Sequence, residues 1–244
     1  MDIGKNSLNQ SINQSINQSI NTLGYILSLE TATKNCSVAL SKNGETLFYK
    51  ELATLGYSHA EQLHVFIEAL LHEAHITFSD LVAIAVGQGP GSYTGLRIGV
   101  SAAKGLCYAL NIPLIALDTL QVLAKQVAVS NGLIVPVIDA RRMEVFSAVF
   151  DCNHQLIRSV QAEIITEHSF EQYSQTLYFV GDCLAKCQTV LSHNRLVFLD
   201  QYQFPSAKDM AYLAYEKFQK AAFEDVAYFE PFYLKDFMMT TSKK

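Results

Sequence analysis

The chain has 244 residues, half of them hydrophobic, and 18 Lys+Arg against 23 Asp+Glu give a formal net charge of −5. That length suits one large or two small domains with a sizeable core. The acidic balance excludes a bulk basic surface for nucleic acid, so any RNA contact has to be local or supplied by a partner.

No apolar run approaches the roughly 18 residues of a membrane helix. The N-terminus lacks a charged segment followed by an apolar stretch, so no signal peptide is expected. The five cysteines, Cys36, Cys107, Cys152, Cys183 and Cys187, are odd in number and form no C-x-x-C pair. They read as reduced thiols and small buried hydrophobes in a cytoplasmic protein.

Residues 7–22 repeat a four-residue unit with one aliphatic residue each and no charge. A period of four drifts around a helix and builds no lasting apolar stripe, so residues 1–23 read as a disordered low-complexity leader. The folded part begins near Tyr25. Residues 26–29 are a short apolar strand ending at Glu30, and 36–40 and 46–51 are further strands joined by a hairpin turn at Lys42-Asn43-Gly44. A helix is expected over 59–75, with Ser58 as N-cap and Glu61 as its capping-box partner. Residues 81–86 are a buried strand, followed by a Gly-rich loop over 87–95 and a helix over 94–110. A strand at 114–117 and a helix over 119–129 complete this half.

The opening pattern then returns. Residues 133–138 form an apolar strand ending in Asp139, Ala140-Arg141-Arg142 turns the chain, and 145–150 runs back. Glu30 and Asp139 thus hold equivalent places in a duplicated α/β unit. The second copy is less regular: a strand at 177–180 ends in Gly181-Asp182, and a helix runs from Ser206 to about Ala222. The expected lobes are 24–132 and 133–244.

Four features could carry chemistry. The loop Gly87-Gln88-Gly89-Pro90-Gly91-Ser92-Tyr93-Thr94-Gly95 lies between a buried strand and a helix start, where backbone N–H groups can bind an anion. It is neither a Walker A loop nor a G-x-G-x-x-G fingerprint. Its glycines serve equally to let two backbones approach closely. Glu30, Asp139 and Asp182 stand at strand ends, where acids hold a metal or water, or cap turns. On the helix at 59–75, His64, Glu68, His72 and His75 share a stripe opposite Leu63, Phe66, Ile67, Leu70 and Ala74. His64, Glu68 and His72 have zinc-like spacing, but a solvated or partner-facing stripe is the favoured reading. Arg141 and Arg142 could bind phosphate, with a plain ion pair at a turn as the favoured reading.

The segments 26–33, 36–40, Gly89-Pro-Gly-Ser-Tyr-Thr-Gly-Leu-Arg-Ile-Gly99, 103–106, Asp139-Ala-Arg141 with Glu144-Val145, Gly181-Asp182 and 231–235 resemble the TsaB (YeaZ) family over about residues 25–236. Glu30 stands where many members carry Asp. The resemblance implies the duplicated actin-like ATPase (ASKHA, RNase H-like) fold and a role in making N6-threonylcarbamoyladenosine at tRNA position 37. It implies pairing with the catalytic paralogue TsaD and with TsaE, a homodimer when alone, contact with tRNA through the complex, and no membrane. It implies no catalytic residue and no metal. No cofactor is expected to be tightly bound, and ATP only within the complex.

Mapped onto this sequence, the family's two interface helices give His59, His64, Glu68, His72, Thr94, Gly95, Arg97, Ile98, Gly99, Ala102 and Ala103 as interface residues. The small residues Gly95, Gly99 and Ala103 would allow close helix approach. Glu30, Thr31, Gly89, Gly91, Ser92, Asp139 and Arg141 are the candidate nucleotide or phosphate loop. The catalytic paralogue binds metal with two histidines at the places held here by Thr119 and Leu123, and leucine cannot ligate. Two other readings remain: an independent actin-fold kinase acting through Glu30 or Asp139, and a metallopeptidase using His64, Glu68 and His72.

Overall fold

The computed structural model describes residues 24–53 and 59–235. The expected leader at 1–23, the Ser58 cap and the end of the chain beyond 235 lie outside the described residues.

Strands β1 (Tyr25–Glu30), β2 (Asn35–Lys42), β3 (Glu45–Ala53), β4 (Leu81–Gly89) and β5 (Leu114–Asp118) form one sheet in the order β3-β2-β1-β4-β5. Strands β6 (Leu133–Asp139), β7 (Glu144–Asp151), β8 (Leu156–Ile164), β9 (Leu177–Gly181) and β10 (Leu196–Phe198) form another, in the order β10-β9-β6-β7-β8. In each sheet the first three strands are antiparallel. The fourth runs parallel to the first, and the fifth parallel to the fourth. The two halves are therefore the same unit written twice, and Glu30 and Asp139 end counterpart strands.

Local sequence explains the regular pieces. β1 and β6 are buried along almost their whole length, as a strand covered on both faces requires. β3 alternates exposed and half-buried residues because only one face is covered. The β2–β3 turn places Asn43 and Gly44 at φ 54 and 83, the left-handed pair of a two-residue hairpin. Helix α1 (His59–Glu73) buries Leu63, Ile67, Leu70 and Leu71. It stops before His75, which takes φ 53 while Ile76 N–H donates back to the Leu71 carbonyl at 3.0 Å, a left-handed C-terminal stop. Helix α2 (Tyr93–Leu110) is capped by Ser92.

Three differences from the sequence reading have physical causes. Helix α3 (Thr119–Ala124) is shorter than expected, because Gln126 and Val127 N–H turn to the carbonyls three residues back and tighten the chain out of the α-helix. β8 and β10 are additional strands. The second half ends in a 3₁₀ turn at Ala207–Met210 and helix α5 (Ala211–Gln219), with Ser206 accepting from Lys208 N–H at the start.

The cut at 132/133 separates the sheets but not the packing. Met210, Leu213 and Ala214 of the C-terminal half pack against Ile26, Ala39, Ala83 and Ile115 of the first sheet. In return Leu120 and Leu123 of α3 join Ile134, Ile138 and Phe146 of the second sheet. The final helix of each half thus crosses to the other, so a C-terminal lobe of 133–244 is not a self-contained packing unit. Substituting Leu213→Ala, which leaves a cavity against the first sheet, is expected to cost about 2–5 kcal/mol in urea unfolding. A loss near zero would show that α5 contributes little to holding the halves together.

Candidate functional site

β1 carries its acid into the interior. Glu30 is fully buried, and its Oε1 accepts from Ala32 N–H at 2.7 Å. Oε2 has no partner and fills the place beside Gly87 where any Cβ would overlap it. Burial pushes this carboxyl up to about 7; the Ala32 and Thr31 N–H groups pull it down, and the charge of Asp118 pushes it further up. A neutral carboxyl is the form the site favours at and below that pH.

The turn after Glu30 grips the Gly-rich loop. Ser92 N–H donates to the Ala32 carbonyl at 2.7 Å, and Thr31 Oγ1 donates to the Gly95 carbonyl at 2.8 Å. Gly95 N–H donates to Ser92 Oγ at 3.3 Å and Gly89 N–H to Thr119 Oγ1 at 3.1 Å. A Cβ at Gly91 would overlap the Ala32 carbonyl, one at Gly95 the Thr31 carbonyl, and one at Gly99 the Thr31 hydroxyl. The glycines allow a close backbone approach, and the amides of Gly89, Ser92 and Gly95 serve the chain itself.

This geometry corrects part of the expected interface. Gly95, Gly99 and Ala103 are buried on the inner face of α2, and the two glycines face the chain's own Thr31 rather than a partner. His59 is 3 % exposed, and its Nε2 lies 2.6 Å from the Thr33 carbonyl. That carbonyl only accepts, so Nε2 carries the proton, and His59 ties the start of α1 to the same turn.

The counterpart acid in the second half is in a different setting. Asp139 is exposed; its Oδ1 accepts from Arg141 N–H at 2.9 Å and from Lys186 Nζ at 2.5 Å. Its own N–H donates to Asp182 Oδ1 at 2.9 Å, and burial pushes the Asp182 carboxyl up. Arg141 and Arg142 take φ 69 and 54. The cluster is an ion-paired turn, and the charge of Lys34 from the first turn also acts on Asp182.

His64, Glu68 and His72 are exposed on α1, and His75 just beyond its end, in company with Val65 at 57 %. On α2, Thr94 and Arg97 are exposed and Ile98 and Ala102 half-buried, while Tyr108 is 86 % exposed. Among the described residues no group of three His, Cys, Asp or Glu could hold a metal ion.

The segment over 224–235 escaped the sequence reading as a structural element. Lys104 Nζ donates to the carbonyls of Ala227 and Phe229 at 3.2 and 2.8 Å. Tyr93 and Tyr233 rings lie 4.7 Å apart, and Phe232 N–H donates to the Gln88 carbonyl at 2.8 Å. Lys235 then pairs with Glu144 of the second half. An open groove of about 360 Å³ lies between α2 and this segment. No periodicity marks such an irregular strap in a sequence.

Two sheets of order 3-2-1-4-5, each with an acid at the end of its first strand, define a duplicated α/β protein. The comparisons narrow this. A family model described as TsaD, tRNA N6-adenosine threonylcarbamoyltransferase, matches residues 54–242. The tRNA threonylcarbamoyladenosine biosynthesis protein TsaB of Escherichia coli K12 is 30 % identical over 220 residues, 86 % of this chain and 94 % of that protein. The TsaB of Bacillus subtilis is 34 % identical over 135 residues, 55 % of this chain and 58 % of that protein. The structure of YeaZ from Pseudomonas aeruginosa superposes with a TM-score of 0.77 at 27 % identity, covering 87 % of this chain and all of that one. The chain belongs to the TsaB (YeaZ) family.

Two tests follow. Glu30 has a folded pKa raised from 4.5 to about 7, so its stabilising contribution is full below 4.5 and is lost as pH rises through about 7. The difference amounts to roughly 3 kcal/mol. Stability should fall across that window, and Glu30→Gln should flatten the fall; an unchanged pH profile in the variant would assign it to another group. Separately, Gly95→Ala should lower the thermal midpoint by an amount equivalent to about 1–3 kcal/mol. The overlap with the Thr31 backbone outweighs the gain in helix propensity of about 1 kcal/mol. A stabilised variant would contradict the close approach.

Proposed function

We propose that the chain is a non-catalytic subunit of the machinery that makes threonylcarbamoyladenosine in tRNA, pairing with and supporting a homologue of the transferase TsaD. The observation that carries this is the pair Thr119 and Leu123, which stand where the resemblance puts the two metal-binding histidines of the catalytic paralogue. Both are fully buried. Leu123 is part of the apolar cluster under the second sheet and cannot ligate. Thr119 spends its hydroxyl on the Gly89 amide. The process named for the Escherichia coli and Bacillus subtilis relatives agrees with this reading.

The docking surface is formed by the outer faces of α1 and α2: His64, Val65, Glu68 and His72 on one, Thr94 and Arg97 on the other, while the expected Ile98 and Ala102 are half-buried against the core. Long helices with a free outer face support this, since α1 and α2 have 15 and 18 residues and their inner faces alone hold the core. The same surface would make the homodimer of the chain alone. A TsaE homologue joins the assembly, and tRNA is met through it, in the cytoplasm. No cofactor is held tightly by the chain alone and ATP enters only within the complex; the engaged amides of Gly89, Ser92 and Gly95 support that. The kinase and metallopeptidase readings are not favoured. Glu30 is buried away from any substrate, Asp139 is paired with Lys186, and His64, Glu68 and His72 form no three-ligand cluster.

Val65 is exposed at the centre of the outward stripe of α1, so Val65→Arg should leave the fold intact. Its affinity for the TsaD homologue, measured by titration calorimetry, is expected to fall about ten-fold or more, which is ~1.4 kcal/mol, at an unchanged thermal midpoint. Reconstituted tRNA modification should fall in step. Undiminished affinity would move the docking surface elsewhere.

A further inference from the structure

We propose that Cys183 and Cys187 are a dithiol that a hydroperoxide closes reversibly to a disulfide, and that closure loosens the Asp139 turn through Lys186. This goes beyond the role proposed above and does not depend on it.

The pair stands apart from the other thiols. Cys36 and Cys107 are buried in the core of the first half, and burial pushes them up to about 11 and about 12. Cys152 is half-buried. Cys183 and Cys187 lie one turn apart at the start of helix α4 (Leu184–Gln188), and both belong to the apolar cluster of the second half. Cys187 N–H donates to the Cys183 carbonyl at 3.2 Å, and the two thiols are hydrogen-bonded to each other. That bond holds the Cys187 thiol below the usual range against its burial, and the Lys186 ammonium adds to the effect. The same bond and burial push Cys183 up. Cys187 is therefore the nucleophile, and Cys183 keeps its proton.

Geometry decides what closure does. A helical turn sets Cα atoms four residues apart at about 6 Å, inside the roughly 4.4–6.8 Å range of disulfides. A regular turn still holds the two Cβ atoms farther apart than the roughly 3.5–4.5 Å the bond requires, so one end has to move in. Cys183 is that end: it is the N-cap, at φ −126 and ψ 26, outside the helical values. A helix of five residues opens readily, which admits a small oxidant to thiols that are buried at rest. Lys186, on the same turn, donates to Asp139 Oδ1 at 2.5 Å and to the Glu144 carbonyl at 2.8 Å. Tightening the start of α4 therefore pulls on both ends of the Asp139 turn. A disulfide strained in this way is easily reduced, as regulatory ones are.

The chemistry balances. The Cys187 thiolate attacks the outer peroxide oxygen, the O–O bond breaks, and the alkoxide leaves and takes a proton to become an alcohol. Cys187 is then a sulfenic acid. The Cys183 sulfur attacks the Cys187 sulfur, the S–O bond breaks, and water leaves with the Cys183 proton. Two thiols have lost two electrons and two protons, and the hydroperoxide has become an alcohol and water.

The experiment treats the full chain carrying Cys152→Ser with tert-butyl hydroperoxide and follows intact mass, peptide map and hydrogen exchange. We expect the chain to lose the mass of two hydrogens, a map that links Cys183 to Cys187, and full return with dithiothreitol. Hydrogen exchange over residues 139–144 should be faster in the oxidised chain. Adding Cys183→Ala should stop the reaction at a gain of one oxygen on Cys187. Lys186→Met should slow oxidation several-fold, because it removes the charge that favours the thiolate. A chain that keeps all its hydrogens, or links another pair of cysteines, overturns the proposal. So does closure of Cys183 and Cys187 with unchanged exchange over 139–144, which would leave the pair without an output. If Cys183→Ala does not fold, the map and the exchange of the Cys152→Ser chain decide alone.

Discussion

The structure depends on one turn of three residues, Thr31 to Thr33. Ala32 N–H is held by the Glu30 carboxyl, and the Ala32 carbonyl receives Ser92 N–H. Thr31 donates to the Gly95 carbonyl, and the Thr33 carbonyl receives His59. A single turn therefore fixes where α1 and α2 both begin. Each of these bonds contributes only about 1 kcal/mol net, but they are buried, and losing one partner would leave another group without water. The glycines at 91, 95 and 99 are the condition for this arrangement, because any side chain there would stand in the turn's own space.

The duplication makes what has been changed visible. Both halves keep the five-stranded sheet, but only the first keeps long helices. Where α1 lies in the first half, the second half has turns over 165–176, with Ile165 and Phe170 buried and Tyr173 packed against the core. The counterpart of α2 is helix α4 (Leu184–Gln188), a single turn and a half. The crossing of α3 and α5, and the strap ending at Lys235, bind the halves together. A helical surface two helices wide has thus been retained on one half alone. Core formation does not demand it, since the second half closes its core without one.

Much of this was legible in the sequence. The apolar runs at 26–29 and 133–138 with their terminal acids gave the duplicated unit, Asn43-Gly44 gave the hairpin, and the helix expected over 94–110 is α2. The outcome for Gly95, Gly99 and Ala103 shows where such reading ends. Small residues at i, i+4 and i+8 say that something approaches the helix closely, but the spacing is the same whether that neighbour is a second protein or the chain's own turn. Likewise the sequence shows an acid at position 30 without its surroundings; only the fold puts Oε2 against Gly87. β8 was hidden because Arg158, Ser159, Gln161 and Glu163 interrupt its apolar residues, which blurs the alternation expected of a half-buried strand.

The two counterpart acids decide what chemistry the duplicated unit retains. In a two-lobed protein that worked on a nucleotide alone, acids at these strand ends would have to face the space between the lobes with a charge to offer. Here Glu30 is enclosed and, with a carboxyl pushed up by burial to about 7, serves as a clamp on the turn through its bond to Ala32 N–H. Asp139 keeps its exposure, but its charge is shared between Lys186 and the Arg141 amide. Thr119 holds a loop amide. All three groups are thus engaged with backbone amides of the chain itself. What α1 and α2 present outward is an exposed surface that includes His64, Val65, Glu68, His72, Thr94 and Arg97.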